Sequence, residues 1–488
     1  MPTSRLAELP RQFELAPARL GVPRITENPA QLPDEIDSAF TQVVFSTNGV
    51  TGAYRRPLDP VSVNTIGTSL AGWRRIGGAL AAIGRVAVDR DALSDGSYSA
   101  FVAPYGSSPF VPADTNRPAL GRTIVTLEGG EGVVLGSWRL GIAAGYRGQE
   151  NSSTQSSASQ IGRASSNGVA LGAVRAFGSR ARVGLYGRRL QSSETVNLIA
   201  NPQTVRVYAL DGYVSAEPAD FSVAFPAFLR RADRTATAWG TDVAGRALGT
   251  SWSAYLERQS LHERQVSTVL TSNPPTDRWS TSGGALGAAV QRTIRGLSAT
   301  LRADWRAQKG DADRASTSAG AFRSDASQLA LVSELLYASS VSPWNFAATL
   351  SLDRDQQSAT DDAARITTDI IAWMPGISGE VARRVSDHLT IALGYGRSQF
   401  TPSASVPSPV NRGTGYTLLL APAIEFAAVA SHTDQGVVTA RWRTRAGFVS
   451  IRAWASSMQP NSRADASVLL PTGSRSSLGC AVSVASAW

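Results

Sequence analysis

Residues 138–146 read WRLGIAAGY, and their alternation decides the fold. In an extended chain Trp138, Leu140, Ile142, Ala144 and Tyr146 share one face, and Arg139, Gly141, Ala143 and Gly145 share the other. The apolar face begins and ends on an aromatic ring, the order of a strand that crosses a bilayer between two interfaces. Residues 297–306 repeat the pattern, setting Leu297, Ala299, Leu301, Ala303 and Trp305 against Ser298, Thr300, Arg302, Asp304 and Arg306. Residues 344–352 set Trp344, Phe346, Ala348, Leu350 and Leu352 against Asn345, Ala347, Thr349 and Ser351. Weaker copies place Leu389, Ile391, Leu393 and Tyr395 on one face, and Val438, Ala440 and Trp442 opposite Thr439, Arg441, Arg443 and Arg445.

The connections alternate too. Tight breaks at Gly136-Ser137, Gly178-Ser179, Arg295-Gly296 and Ser386-Asp387 are followed by long polar stretches at 148–166, 308–326 and 459–475. Short turns at one end and long loops at the other are the plan of an outer-membrane barrel. Strands expected near 39, 62, 78, 119, 138, 167, 181, 234, 250, 279, 297, 327, 344, 364, 389, 435, 448 and 477 predict an all-β, single antiparallel barrel of about 18 strands, range 16–20. Stretches 204–232 and 400–433 are read as extracellular extensions, and Gly129-Gly130-Glu131-Gly132 as a flexible crossing or bulge. Residues 1–36, rich in proline, read as an N-terminal periplasmic arm or partial plug, and 37–488 as the barrel.

Composition agrees. The 488 residues are 42% hydrophobic and only 17% charged, below the roughly 25% charge of a soluble domain. No run of about 18 apolar residues marks a membrane helix. Net charge is +9, carried almost wholly by arginine, with Lys309 the single lysine. The arginines follow the strand period instead of clustering, which excludes a nucleic-acid-binding patch. Cys480 alone builds no disulfide framework. With His262, His388 and His432 the only histidines, neither a metal site nor a cofactor is expected. The amino terminus lacks the apolar run of a signal peptide, so an exported protein is expected to have its true start upstream.

The last segment alternates Leu478, Cys480, Val482 and Val484 with small residues and stops at Trp488. A final strand ending on an aromatic ring is similar to the signal read by the barrel-insertion machinery, which is expected to be a partner. The chain also resembles a family of uncharacterised bacterial outer-membrane β-barrels often encoded near TonB-dependent receptors. The resemblance rests on residues 104–114 (PYGSSPFVPAD), 138–147 (WRLGIAAGYR) and 375–378 (PGIS). It implies location and architecture, with a TonB-dependent receptor or a surface protein as a possible partner, and no reaction.

The side chains that alternation turns inward are Arg139, Arg182, Arg188, Arg302, Arg306, Arg441 and Arg443, with Glu257 and Asp304 as counter-charges. Rings of arginine make a pore selective for anions; the same residues also fit ion-pair ladders that brace the wall or hold a plug. Trp138, Tyr146, Trp305, Trp344, Tyr395 and Trp442 are read as the aromatic girdle facing lipid and lipopolysaccharide. Catalysis is not expected. His262 beside Glu263, with Ser260 nearby, or His432 with Asp434, would be the base of a rim hydrolase. His388 after Asp387 is read as a turn histidine, and Asp353, Asp355, Asp361 and Asp362 as a solvated loop lacking calcium-loop spacing. The sequence therefore supports an outer-membrane channel or accessory subunit of an uptake system, with a structural barrel of occluded lumen, anchoring a surface assembly, as the alternative.

Overall fold

The computed structural model describes residues 28–35, 39–94, 109–114, 119–153, 158–178, 180–200, 207–211, 214–216, 227–268, 276–313, 322–338, 342–405, 421–461 and 473–487. Eighteen strands form one closed antiparallel barrel in which every strand pairs with its sequence neighbours. In chain order they are β1 (Phe40–Gly52), β2 (Ser62–Ile76), β3 (Leu80–Ser94), β5 (Leu120–Leu135), β6 (Trp138–Ser153), β7 (Ala158–Phe177), β8 (Ala181–Ala200), β11 (Ala227–Ala247) and β12 (Thr250–Thr268). They continue with β13 (Thr276–Ile294), β14 (Leu297–Asp313), β15 (Phe322–Tyr337), β16 (Trp344–Asp361), β17 (Ile366–Arg384), β18 (Leu389–Ser405), β19 (Ser431–Thr444), β20 (Gly447–Pro460) and β21 (Arg475–Ala487). The short strands β4 (Phe110–Asp114), β9 (Val207–Asp211) and β10 (Val214–Ala216) make a separate three-stranded sheet. β1 closes the ring against β21, from Phe40 opposite Ala487 to Gly52 opposite Arg475.

Connections at one end are tight. Leu248-Gly249 and Arg295-Gly296 have positive φ at both central positions, the two-residue turn whose twist matches that of the flanking strands. At the other end most connections are long, although 362–365 between β16 and β17 is short.

The strands exceed what a bilayer needs. β11 has 21 residues, whereas a tilted spanning strand takes about 9–11. This corrects the expected loops at 148–166 and 308–326. β6 runs on to Ser153, β7 starts at Ala158, β14 reaches Asp313 and β15 starts at Phe322. Polar residues on both faces made these stretches look like loops, yet a wall with water on both sides satisfies its backbone through the ladder alone. Within 400–433, β18 extends to Ser405 and a helix, Ala421–Ala428, precedes β19, so that stretch is not strand throughout. The Gly129–Gly132 run is no bulge: it lies in an unbroken ladder between β3 and β6.

The outer face carries the apolar set: Leu185, Leu256, Leu301, Ile377 and Leu393 are all more than half exposed. The inner face carries most of the charge and two buried zones. At the turn end Leu32, Phe40, Trp73, Ala81, Ile83 and Ala485 cluster, with Phe448 packed against them. Phe40 stacks on Trp73 at 4.2 Å between ring centroids. At the loop end Tyr54 and Leu58 are buried, and the Tyr54 ring lies 4.7 Å from Phe426 of the helix Ala421–Ala428.

Phe40→Ala should destabilise the barrel by about 3–5 kcal/mol in urea unfolding monitored by tryptophan emission. Phe45→Ala, on the outer face of the same strand, should leave the midpoint in detergent nearly unchanged. At the loop end, burial pushes the Tyr54 hydroxyl up to about 12, against a hydrogen bond to Ser431 that lowers it. The folded state thus holds this proton more tightly than the unfolded chain does. The associated stability is complete below the ordinary tyrosine value of about 10 and is lost as pH rises toward 12. Tyrosinate absorbance should show a tyrosine titrating near 12 that Tyr54→Phe removes.

Candidate functional site

The lumen at the turn end holds a piece of the chain itself. Residues Pro29–Gln31 form a 3-10 turn capped by Asn28, whose side chain accepts from the Ala30 N–H at 3.1 Å. A short helical turn, Leu32–Glu35, follows. Proline at the first helical position suits this start, since its missing N–H would have no partner there.

The floor beneath the segment is glycine. Gly132, Gly141 and Gly172 stand directly opposite one another on β5, β6 and β7, all on the inward face. A Cβ on Gly132 would lie 2.6 Å from Cδ of Pro33. One on Gly141 would collide with the backbone of Pro29 and Ala30, and one on Gly172 with the Asn28 amide. On β8, a Cβ on Gly184 would come within 2.6 Å of Nδ2 of Asn28. Any side chain in this row would lift the segment off the wall.

Polar groups fasten it. Asn28 Nδ2 donates to Asp242 Oδ2 at 2.7 Å, and Gln31 Nε2 donates to Asp242 Oδ1 at 2.6 Å. Asp34 accepts from Arg139 Nε at 2.8 Å and from Arg182 Nη1 at 2.9 Å. Residues 28, 31 and 34 thus tie the segment to β6, β8 and β11, while Leu32 enters the apolar cluster.

Farther up the same wall, ion pairs bind strand to strand. Arg188 donates to Glu257 at 2.6 Å, and Tyr186 donates to the other oxygen of Glu257 at 3.0 Å. Arg234 bridges Glu194 at 2.9 Å and Glu263 at 2.6 Å. The three carboxylates are almost fully buried, so removing any one arginine would strand a buried charge, a costly change. On the neighbouring strands of the same wall, Asp304 of β14 receives Arg302 and, at 2.8 Å, Tyr255 of β12. Arg441 lies over the Phe448 ring at 4.6 Å, and Arg306 and Arg443 share the inward face. Trp138, Tyr146, Trp305, Trp344, Tyr395 and Trp442 are all exposed on the outer face. Trp488 lies outside the described residues.

The rim histidines are placed differently from one another. His262 and Glu263 are consecutive on β12 and point to opposite sides of the wall, Glu263 toward Arg234. Ser260 bonds Thr237 at 2.9 Å. His432 faces outward, with Asn461 Oδ1 at 2.7 Å from Nδ1 and Asp434 at 3.7 Å from Nε2. His388 sits in the turn before β18. Of the four clustered aspartates, Asp361 accepts from the Ala363 and Ala364 N–H groups. Among the described residues no three acidic, histidine or cysteine side chains converge on a metal position.

The sequence reading missed Asn28, Gln31, Asp34, Asp242 and the glycine row. The available signal was spacing: Asn28, Gln31 and Asp34 recur every third residue, and glycines interrupt the inward face of consecutive strands.

Asp34→Ala should loosen the segment. With Cys480→Ser removing the native thiol, a cysteine replacing buried Ala30 should react slowly with a polar maleimide, and about tenfold faster once Asp34 is also alanine. Gly141→Leu should produce the same acceleration by displacing the segment sterically.

A search of curated proteins finds no match. Among solved structures, the ferric preacinetobactin receptor BauA from Acinetobacter baumannii is similar at 8% identity and a TM-score of 0.38, over 92% of this chain and 80% of that one. A mutant of the ferric enterobactin receptor PfeA from Pseudomonas aeruginosa is similar at 8% identity and 0.43, over 92% and 80%. The outer membrane transporter YddB from Escherichia coli is similar at 7% and 0.39, over 92% and 81%. A family model matches residues 29–485, nearly the whole barrel and the lumenal segment with it: the chain belongs to a family of unknown function, DUF6850.

Proposed function

We propose that this chain is a bacterial outer-membrane barrel that serves an uptake system as a channel gated by its own residues 28–35. The outer face supports the location. From Trp138 to Tyr146 the apolar stripe of β6 runs about 26 Å along the strand, at about 3.3 Å per residue, which at the ~40° tilt of such strands is about 20 Å of height, most of their ~25 Å lipid-facing band. Tyr146, Trp239, Trp305, Trp373 and Tyr395 ring the loop-end edge of that stripe, and Trp138, Trp252, Trp344 and Trp442 the turn-end edge. Turns then face the periplasm and loops the exterior. The strand Arg475–Ala487, apolar outward at Leu478, Val482 and Val484, is the element the insertion machinery would read.

The single observation that carries the gating role is the seating of Asp34 between Arg139 and Arg182 over a glycine floor. Releasing the segment frees two inward guanidinium groups at the periplasmic mouth. Inward arginines favour anions, so an anionic solute is the cargo class the mouth would pass. A periplasmic or receptor partner that displaces the segment would open it. The buried Tyr54–Phe426 contact at the loop end favours a second reading, an occluded barrel that anchors a surface assembly.

Planar-bilayer recording separates the two. Wild-type protein should insert and stay nearly silent, whereas Asp34→Ala and Gly141→Leu should open frequently, with a reversal potential on the anion side. Variants as silent as the wild type would leave the scaffold as the function. The membrane assignment has its own check. Leu301→Arg, in the apolar band, should cost about 2–4 kcal/mol in lipid, while Thr300→Arg, turned to the lumen, should be close to neutral in the same unfolding assay.

A further inference from the structure

Several cations on the outer face above the apolar band have acidic partners. Lys309 pairs with Asp325, Arg323 with Asp362, Arg397 with Asp434, Arg163 with Glu150 and Arg231 with Asp233. Among the described residues the exposed Arg90, Arg264 and Arg278 have no ion pair, and the same holds for Arg189 of β8 and Arg258 of β12. The last two are exposed, and neither has an ion-pair or hydrogen-bond partner among the described residues.

The register brings these two arginines to one place. Arg189 stands opposite Thr237 of β11, and Thr237 opposite Ser260 of β12. Trp239 stands opposite Arg258. All five residues have outward parity, so two guanidinium groups flank an exposed indole and the hydrogen-bonded hydroxyls of Thr237 and Ser260, 2.9 Å apart. The outward neighbours on β7 and β13 at these levels, Val169, Ser282 and Gly284, carry no charge. The nearest outward carboxylate, Asp233, lies four residues away on β11 and is engaged by Arg231 at 2.9 Å and Ser193 at 2.7 Å. Immediately toward the turn end the wall becomes apolar, with Leu185, Leu256 and Leu286 exposed.

We propose that Arg189 and Arg258, with Thr237, Ser260 and Trp239, bind the phosphorylated sugar headgroup of an outer-leaflet lipid. The inference rests on the outer-membrane reading above. Two unneutralised guanidinium forks at the boundary of an apolar band match a phosphate in charge and in bidentate geometry. The hydroxyls suit a sugar, the indole prefers the interface, and the leucines below accept acyl chains. The neighbouring hollow near Arg264 and Arg278 is a poorer anion site, because Asp233, Asp311 and Asp313 line it as well.

The test uses the full chain in phosphatidylcholine nanodiscs doped with bisphosphorylated lipid A, with lipid retention read by native mass spectrometry and thermal unfolding read in parallel. Wild-type protein should retain the lipid and unfold at higher temperature as its mole fraction rises. The double variant Arg189→Ala/Arg258→Ala should need about tenfold more lipid for the same response. Arg292→Ala, an outward charge at the turn end, should behave as wild type. Dephosphorylated lipid A, or inorganic phosphate added to undoped discs, should give no shift. An equal response in the double variant, or an equal response to dephosphorylated lipid, overturns the site. A chain that enters no disc overturns the membrane reading instead, and is recognised by the absence of any lipid-bound species.

Discussion

Closure of the hydrogen-bond ladder is the constraint on which this structure depends. A strand in a wall one sheet thick has no second layer to cover it, so its backbone groups must be paired by neighbours on both sides. The run of β1 against β21 meets that demand at the one place where sequence neighbours cannot. Once the ring is closed, the two-residue side-chain period assigns every residue to the outer face or the lumen. An exposed Leu301 and an inward Arg302 are then consequences of a single register.

That is also why the fold was legible in the sequence. Outside, the solvent is uniform, so Trp138, Leu140, Ile142 and Tyr146 could be read from alternation alone, as could the tight turns at Gly136 and Arg295. Alternation failed where the surroundings stop differing. Beyond the apolar band the wall has water on both sides, the chemical contrast between faces vanishes, and the upper parts of β6, β7 and β14 resembled loops. The helix Ala421–Ala428 was hidden for a related reason: of its buried residues, Pro422, Ile424 and Phe426 alternate as on a strand, and only Ala423 and Ala427 complete a helical face.

The lumenal site was harder to read because it depends on what faces the wall across space. Arg139 and Arg182 could be placed in the lumen, but their shared partner Asp34 lies over a hundred residues away. Gly132 was misread for a similar reason. Within its own strand it looks like flexibility, and only the register with Gly141 and Gly172 makes it part of a flat strip. Flatness here is a steric requirement for approach by Pro29, Ala30 and Pro33, since none of the three has a positive φ.

The wall and the segment it holds differ in how they are stabilised. Each wall strand is fixed by a ladder on both sides, interrupted between β17 and β18 only where Pro375 supplies no N–H. The segment has no ladder. It is held by the burial of Leu32 and by side-chain hydrogen bonds, and the ordering of its backbone opposes both. Asp242 shows how the balance is tuned: its buried carboxylate is held by two neutral amides, Asn28 and Gln31. Amides hold a carboxylate less strongly than a guanidinium would, and the barrel reserves its double-arginine contact for Asp34, nearest the mouth. The segment is thus held by side-chain contacts alone, whereas the wall around it is held by its backbone ladder.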